Sequence, residues 1–492
     1  MNALRRRVDA SSLAVLRISF GAIVTWEVWR AFDGNLIRAD YDLPQFHFTW
    51  WLFSWVRPLP GVWIYVAFAA VGLAAAALAI GLFTRWAAAL TCLGLTYWIL
   101  MEKAAYLNHR YLAASIAFLL AVVPSGARWS VDALRSPAAG TAPEWSVWLV
   151  RFQVGVPYFF AGIAKLNYDW MFRAEPLAIA LRTGEGALAH VLAWGSAGLD
   201  LTAPFLLLHR RTRVPAFAFA LAFHFINSRF FDIGMFPWLM IVGTTVFFDP
   251  AWPAQALRMV RSGRSRDRWV IVIGGVVGFV LGGSVPESFA FVRAIVGGFG
   301  VATLAFHIVS PRSTSEVTPG RTPPRVLQAF VAIWITTQLL IPLRHFVIPG
   351  NANWTEEGNR FAWHMLLRST RATVSIEVVD PATSQRWTED LTADLTRYQI
   401  SKLRYPDLLH QYAHHLETKY RSLGHGDIEV YANVIASLNG RPRQRLVRRT
   451  FDLTRMPRPY IGHASWVLPL APFDALPSGG ESGRRPVPGA DG

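Results

Sequence analysis

One lysine near the end of a long apolar stretch is the residue best placed to do chemistry in this sequence. Lys165 closes an apolar run that begins near Trp145. A lysine inside a membrane span is costly unless its side chain reaches the surface (snorkels) or has a function. The residues that follow, Leu166, Tyr168 and Trp170, keep its surroundings apolar and aromatic. A desolvated lysine loses its proton easily, so Lys165 is a candidate base, with snorkelling as the alternative.

The composition is that of an integral membrane protein. The chain has 492 residues, of which 53% are hydrophobic and 16% charged, whereas soluble domains have about 25% charged residues. The net charge of +16 is explained by arginines in short loops between spans, so we expect no nucleic-acid partner. Cys92 is the single cysteine, which excludes an internal disulfide and a cysteine metal site. We predict no metal.

Apolar stretches of spanning length are the elements that must position Lys165. They predict an all-α polytopic membrane bundle of about 9–11 spans over residues 1–346. The stretches lie at 11–30, 62–83, 86–102, 109–124, 145–165, 186–208, 214–230, 233–248, 269–284, 288–308 and 326–346. Residues 35–60 are aromatic and broken by prolines, which indicates an interfacial or re-entrant segment.

The arginines indicate the orientation of these spans. With the N-terminus inside, nearly every arginine cluster before residue 330 falls in a loop on the inner side, as the positive-inside rule requires. The chain after residue 347 then lies outside. Abundant Ala and Arg with little Lys is typical of a GC-rich bacterial genome. We therefore expect a multi-pass protein of the bacterial inner membrane, with a cytoplasmic N-terminus and an outer C-terminal domain.

This topology brings polar residues from distant parts of the sequence to the outer face. His109 begins the fourth span, Lys165 ends the fifth, and His224 and Asn227 lie in the seventh or at its outer end. The convergence favours function over snorkelling. Two alternatives stay open, because His109 could be an interfacial anchor and His224 a hydrogen-bonding group between helices.

Residues 347–472 have the pattern of a small external α+β domain. Alternation predicts strands at 373–379 and 428–438, the second turning at Asn439-Gly440. Helical spacing predicts an amphipathic helix at 405–421. His410 and His414 on it have a metal-binding spacing, but no third ligand accompanies them, so we expect them to be solvated. Residues 473–492, rich in Gly, Pro, Ser and Arg, predict a disordered tail.

Taken together, the motifs resemble the vitamin K-dependent gamma-glutamyl carboxylase family, including its bacterial relatives with the horizontally transferred transmembrane (HTTM) domain. The matching stretches keep their order over residues 10–450: 12–21, 57–60, 108–112, 129–132, 161–170, 224–236, 353–355, 363–365 and 411–413. One of them is Ala161-Gly162-x-x-Lys165-Leu166-x-x-Asp169-Trp170.

The resemblance implies an enzyme, a carboxylase of the carbon–carbon lyase class. In this family a neutral lysine deprotonates reduced vitamin K, and the hydroquinone anion reacts with dioxygen. The strong base so formed removes a γ proton from a glutamate, whose carbanion takes up carbon dioxide. The implied cofactor is reduced vitamin K or a menaquinol-type hydroquinone, with O2 and CO2 as co-substrates. The implied partners are membrane lipid, the quinone and a Glu-containing protein or peptide.

The resemblance also implies roles for single residues. Lys165 matches the family's base and His109 matches a histidine assigned to the epoxidation step. For quinone or substrate binding the predicted residues are Asn108, Asn227, His224, Trp354 and Trp363.

Three functions are compatible with the sequence. The first is reduced-quinone-dependent glutamyl carboxylation. The second is oxygen-dependent quinone epoxidation without a protein substrate, since Arg368-Ser369-Thr370-Arg371 stands where the family has His-Ser-Arg-Ser. The third is a non-catalytic membrane scaffold or lipid-binding protein. Lys165 and His109 favour the first two.

Overall fold

A computed structural model gives the arrangement of the chain. It describes residues 5–136, 140–182, 186–231, 233–262, 266–283, 290–310, 318–320, 322–457 and 462–472. The predicted tail at 473–492 lies outside these residues. The described chain is mostly helical, with two small antiparallel sheets.

The first part of the chain is a series of helices. In order they are α1 (Ser11–Asp33), α2 (Val62–Ile80), α3 (Thr84–Met101), α4 (Asn108–Val122), α5 (Val131–Arg135), α6 (Glu144–Lys165), α7 (Tyr168–Arg173), α8 (Leu177–Leu181), α9 (Ala187–Leu208), α10 (Arg213–Phe230), α11 (Phe236–Thr244), α12 (Trp252–Ser262), α13 (Arg266–Gly283), α14 (Ala290–Val309), α15 (Arg325–Leu343) and α16 (Ala352–Thr355). Each predicted apolar stretch overlaps one of them, because apolar runs in lipid must satisfy their own backbone hydrogen bonds. The stretch 233–248 is the exception in length, since its α-helix covers only Phe236–Thr244.

Within the part of the chain that the structure describes, five helices are long and apolar enough to cross a membrane. They are Ser11–Asp33, Val62–Ile80, Glu144–Lys165, Ala187–Leu208 and Arg325–Val347. The total of about 9–11 spans stays a prediction. Residues 38–42 and 51–53 form only short helical turns, and the described segment between α1 and α2 contains no helix of spanning length.

Two buried charged residues inside α1 have hydrogen-bond partners within the protein. Arg17 is fully buried, and its guanidinium donates to the carbonyl oxygen of Ser125 at 3.0 Å. Glu27 is also buried and accepts a 2.6 Å bond from Arg30 one turn away. Charges at such depth persist when they are paired or hydrogen-bonded. An apolar span can therefore contain both residues.

The C-terminal domain is built on a four-stranded antiparallel sheet. Its strands are β4 (Thr370–Asp380), β5 (Gln385–Thr388), β6 (Glu429–Leu438) and β7 (Gln444–Arg445), in the order β5-β4-β6-β7. Between β5 and β6 lie helices α17 (Arg397–Lys402) and α18 (Pro406–Ser422). Alternate residues of β6 are buried, as a half-buried strand requires. The predicted strands and helix are present.

A second sheet joins three short segments of the helical part. Its strands are β1 (Arg6–Asp9), β2 (Thr141–Pro143) and β3 (Thr318–Pro319), in the order β2-β1-β3. This sheet is not among the predicted elements. Segments this short carry too little alternation to be recognised as strands.

The prediction that His410 and His414 are solvated is wrong for His410. His410 is 3% exposed, and its Nε2 lies 2.8 Å from the carbonyl oxygen of Met456. His414 Nε2 lies 3.3 Å from the same His410 atom. In the described residues no cluster of three His, Cys, Asp or Glu side chains could hold a metal ion. His410 is therefore a buried, hydrogen-bonded residue of the C-terminal domain.

Ion pairs join the helical part to the C-terminal domain. Asp407 accepts hydrogen bonds from Arg360 at 2.8 Å and from Lys103 at 2.5 Å. Burial raises the pKa of Asp407, but Arg360 and Lys103 outweigh it and hold that pKa well below its usual range. Glu102 accepts a 2.9 Å bond from Gln399. The contact between the two parts is therefore fixed by charge as well as by apolar packing.

The predicted orientation can be tested with two matched serines at the ends of exposed helical turns. Ser422 ends α18, Ser262 ends α12, and each hydroxyl bonds to the carbonyl three residues earlier. In a Cys92→Ser background, an impermeant thiol reagent should label Ser422→Cys in intact spheroplasts. It should label Ser262→Cys only after lysis. The reverse pattern would invert the predicted topology.

Candidate active site

A cavity of about 180 Å³ lies among α4, α6, α9, α10 and α11, beneath a loop of the C-terminal domain. Its lining is Leu107, Asn108, His109, Pro157, Tyr158, Ala161, Lys165, Asp200, Phe223, His224, Asn227, Ile233, Phe236, Met240, Met365 and Leu366. Five residues predicted for the site line this one cavity: Lys165, His109, Asn108, Asn227 and His224. A few polar groups in an apolar wall are typical of a small-molecule site.

Lys165 forms a buried ion pair with Asp200 of α9. The two side chains are 6% and 5% exposed, and Lys165 Nζ donates a hydrogen bond to Asp200 Oδ2. The Nζ atom also lies 5.3 Å from the ring centre of Trp170 and 5.9 Å from that of Phe223. The ammonium is directed inward to a carboxylate, so Lys165 does not snorkel. Its surroundings are aromatic, as predicted, but they include an acidic partner that was not predicted.

Small residues allow α6 and α9 to approach closely enough for this pair. A Cβ atom placed on Gly162 would lie 2.6 Å from the backbone nitrogen of Leu201. About two turns earlier in α6, a Cβ on Gly155 would lie 3.3 Å from Pro204. Only a residue without a side chain fits at the first of these contacts. Gly162 precedes Lys165 by three residues and Leu201 follows Asp200, so the close approach is next to the pair.

Tyr158 and His224 form a second polar pair in the cavity wall. The Tyr158 hydroxyl lies 2.6 Å from His224 Nε2 and 3.2 Å from the hydroxyl of Thr244. His224 is 1% exposed. The hydrogen bond between helices that the sequence offered as the alternative for His224 is present. His224 also lines the cavity, and its assignment to substrate or quinone binding stays a prediction.

His109 lines the cavity and has a buried nitrogen without a described hydrogen-bond partner. It is 8% exposed, and none of the described residues hydrogen-bonds to its Nε2. Gly234, at φ +54°, lies against it, because a Cβ atom there would be 3.5 Å from Nε2. A buried imidazole nitrogen without a partner is costly. A ligand in the cavity could supply the missing partner.

Part of the cavity wall comes from a strained loop at the start of the C-terminal domain. Phe361, Trp363 and Leu366 all have φ near +60° although none is glycine, and each such residue costs on the order of 1–3 kcal/mol. The loop is held by two hydrogen bonds, from Phe361 N to the Tyr106 hydroxyl at 2.9 Å and from Asn108 Nδ2 to the His364 carbonyl at 3.4 Å. Strained backbone of this kind is found where a site must be held in one geometry.

A buried salt bridge connects the lysine end of α6 to the C-terminal domain. Asp169, four residues after Lys165, receives two 2.6 Å hydrogen bonds from the guanidinium of Arg441. Asn439 Nδ2 adds a bond of 3.0 Å to the same carboxylate. Asn439 and Gly440 form the predicted turn, with φ of +50° and +75°. The turn after β6 is thereby fixed to the segment that carries Lys165.

The two predicted tryptophans lie outside the cavity lining. Trp354 is buried in the core of the C-terminal domain, where its Nε1 donates to the carbonyl of Leu468 at 2.9 Å. Trp363 is fully buried beside Tyr111, two residues before Met365 of the wall. Their assignment to substrate or quinone binding stays a prediction, and neither position brings the indole to the cavity.

Asp200, Tyr158 and Thr244 make contacts at the site but are not among the residues predicted for it. For Asp200 a signal was available, since it is the one charged residue in the apolar stretch 186–208. An ionisable residue within a span is by default a candidate for function. For Tyr158 and Thr244 the sequence contains no such signal, because tyrosine and threonine are common inside helices and at their ends.

Comparison with protein families agrees with this architecture. Residues 5–252 match the model of the HTTM domain, and residues 323–472 match that of the vitamin K-dependent gamma-carboxylase lumenal domain. No solved structure matches the chain. The protein is thus an HTTM-domain membrane protein with an extramembrane C-terminal domain. Because both domain types occur in one chain and in this order, it belongs to the vitamin K-dependent gamma-carboxylase family.

The close approach of α6 and α9 can be tested with two glycines. Gly162→Ala places a methyl group against backbone, which should destabilise the protein by about 1–3 kcal/mol and separate the helix pair. Gly198→Ala in α9 meets no atom within 4 Å and should be neutral or gain about 0.5–1 kcal/mol. Thermal unfolding in detergent compares the two. Equal melting temperatures would show that the helix contact is looser than described.

Proposed function

We propose that this protein is a reduced-quinone-dependent glutamyl carboxylase whose quinone ring occupies the cavity at Lys165. The observation that carries the proposal is the convergence of Lys165, His109, Asn108, Asn227 and His224 on one cavity. Those residues come from α4, α6 and α10. In this proposal the helices form a membrane bundle, and the C-terminal domain lies on the outer side of the membrane.

The size of the cavity fits the ring of a quinone and excludes its tail. An apolar cavity of about 150 Å³ can hold benzene, whereas sites for whole drug-sized ligands occupy about 300–1,000 Å³. The cavity here has about 180 Å³. An aromatic head group therefore belongs inside it, and a long isoprenoid tail belongs among the lipid-facing helices.

The residues of the cavity suit a hydroquinone in their chemistry as well. Lys165 Nζ is the group to receive a hydroxyl proton, and His109 Nε2 is a free partner for an oxygen of the ring. The amides of Asn108 and Asn227 can orient the head group. Phe223, Phe236 and the other apolar residues exclude water, which would otherwise consume a strong base. When bound, the reduced quinone with dioxygen would supply the base that removes the γ proton of glutamate.

Quinone epoxidation without protein carboxylation is a second candidate. In place of the family's His-Ser-Arg-Ser stretch, Arg368 forms a salt bridge with the buried Glu356, and Thr370 and Arg371 begin β4. These residues are used in the fold of the C-terminal domain. The difference from the family's sequence favours a peptide site that differs from the family's. The cavity is not affected, because none of these four residues lines it.

One assay separates the candidates. Purified protein is incubated with reduced vitamin K, bicarbonate and a Glu-containing peptide, and both products are measured by mass spectrometry. Carboxyglutamate together with quinone epoxide supports the carboxylase. Epoxide alone, with several peptides tried, supports the epoxidase. Neither product, from a folded protein that consumes no quinone, favours a scaffold or lipid-binding role.

Replacement of Lys165 by Ala should abolish both products, because the proton acceptor is lost. The variant also leaves Asp200 buried without its partner, which costs about 3–5 kcal/mol unless the carboxyl takes up a proton. The double variant Lys165→Ala/Asp200→Asn removes both charges and should fold better than Lys165→Ala. Lys165→Arg should be inactive, since guanidinium stays charged.

Small amines added to the Lys165→Ala protein should restore part of the activity, because they can occupy the vacated space and accept a proton. Product formation is measured per folded molecule. A folded Lys165→Ala protein that forms epoxide at the parental rate would show that Lys165 is not the base.

His109→Ala should lower epoxide formation much more than it lowers stability. His307→Ala is the matched control, since His307 is 6% exposed and also has an Nε2 without a described partner, but stacks on Phe248 away from the cavity. Both variants lose a buried imidazole. Only His109→Ala should lose activity per folded molecule, by about 100-fold for a group in acid–base contact. Equal activity of the two would make His109 a packing residue.

A further inference from the structure

Lys165 and Asp200 share one apolar environment, so their protonation cannot be treated separately. Both side chains are buried and both line the cavity. Burial strongly favours a pair without net charge. Such a pair shares one acidic proton. The proton is either on the lysine, as ammonium beside carboxylate, or on the aspartate, as carboxylic acid beside amine. Two groups coupled this closely titrate as a unit.

We propose that Asp200 is the positioning and proton-holding partner of Lys165, so that the base of this site is the pair. A proton passes from Lys165 Nζ to Asp200 Oδ2, and the amine so formed accepts the proton of a bound aromatic diol. One N–H bond breaks and another forms at Nζ, the O–H bond of the diol breaks, and an O–H bond forms at Oδ2. The lysine is an ammonium before and after the transfer. The proposal rests on the proposed function, because it needs Lys165 to receive a proton.

The geometry favours this transfer over a lone amine base. The hydrogen bond from Nζ to Oδ2 is already formed, so the second proton has a defined acceptor. The ammonium remains beside the oxygen that becomes negative, and this arrangement stabilises the developing charge in a site of low polarity. The lysine does not have to lose a proton to water before the reaction.

Other titratable groups face the pair, and their contribution must be separated from that of Asp200. They are Tyr158 on α6, His224 on α10 and His109 on α4, all in the cavity wall. On α7, Asp169 and Arg173 are held by the C-terminal domain through Arg441 and Asn439. A His224→Asn variant serves as a control for titration of the cavity imidazole that lies 2.6 Å from the Tyr158 hydroxyl.

The pH dependence of kcat/KM for epoxide formation tests the proposal through the direction of a shift. In the parent the active form has the single shared proton, and activity is lost only when acid protonates the carboxylate beside the ammonium. In Asp200→Asn the active form is a neutral amine, which acid removes at a much higher pH. The acidic limb should therefore move upward by at least about one pH unit, and the rate should fall at least about tenfold.

Asp200→Glu should return the acidic limb toward the parental position, because it restores the carboxylate. His224→Asn should lower the rate without an upward shift of the limb. If the limb of Asp200→Asn is unchanged, Asp200 is structural and the proposal is wrong. If the limb moves downward, Asp200 only raises the proton affinity of a lone lysine base, and the proposal is equally wrong.

These outcomes differ from a failure of the proposed function. If Lys165→Ala retains parental activity, the lysine is not the base and the function assigned to the cavity fails. If Lys165→Ala is inactive while Asp200→Asn has the parental pH profile, the function stands and the role of Asp200 fails. Thermal unfolding of each variant gives the folded fraction by which every rate is normalised.

Discussion

The site depends on the burial of two opposite charges at the contact of α6 and α9. An ammonium or a carboxylate alone in this place would be costly by several kcal/mol, because the two side chains are only 6% and 5% exposed. Together, Lys165 and Asp200 compensate each other and leave an apolar cavity beside them. The contact requires that the helices touch at Gly162, so the crossing of α6 and α9 determines whether the ion pair can form.

The same constraint governs the connection to the C-terminal domain. Asp169 is 5% exposed and 272 residues from Arg441 in the sequence, yet the two form a bidentate pair. Removal of either partner would leave the other charge buried. Since Asp169 follows Lys165 by four residues, the turn at Asn439-Gly440 is held near Lys165. A short connection through buried charges therefore links the C-terminal domain to the segment next to Lys165.

The helices and the strands of the C-terminal domain could be predicted from the sequence because their signals are local. An apolar run of spanning length must be helical in lipid, and alternation in 428–438 requires a half-buried strand. The predicted topology puts Lys165 and His109 at the same face of the bundle, and both line one cavity. The pairing of Lys165 with Asp200 could not be predicted in the same way, since the partner lies 35 residues away. Sequence patterns indicate the depth of a residue in a span but not the rotation of one helix against another.

The loop at 361–366 shows why the cavity belongs to both domains. Met365 and Leu366 form part of its wall, although they lie beyond the last helix of spanning length. Three residues of this loop have left-handed backbone, a conformation that persists only when the surrounding contacts impose it. Those contacts come from Tyr106 and Asn108, next to His109. The C-terminal domain therefore closes the cavity with a loop whose shape the helical domain imposes, and neither domain contains a complete site by itself.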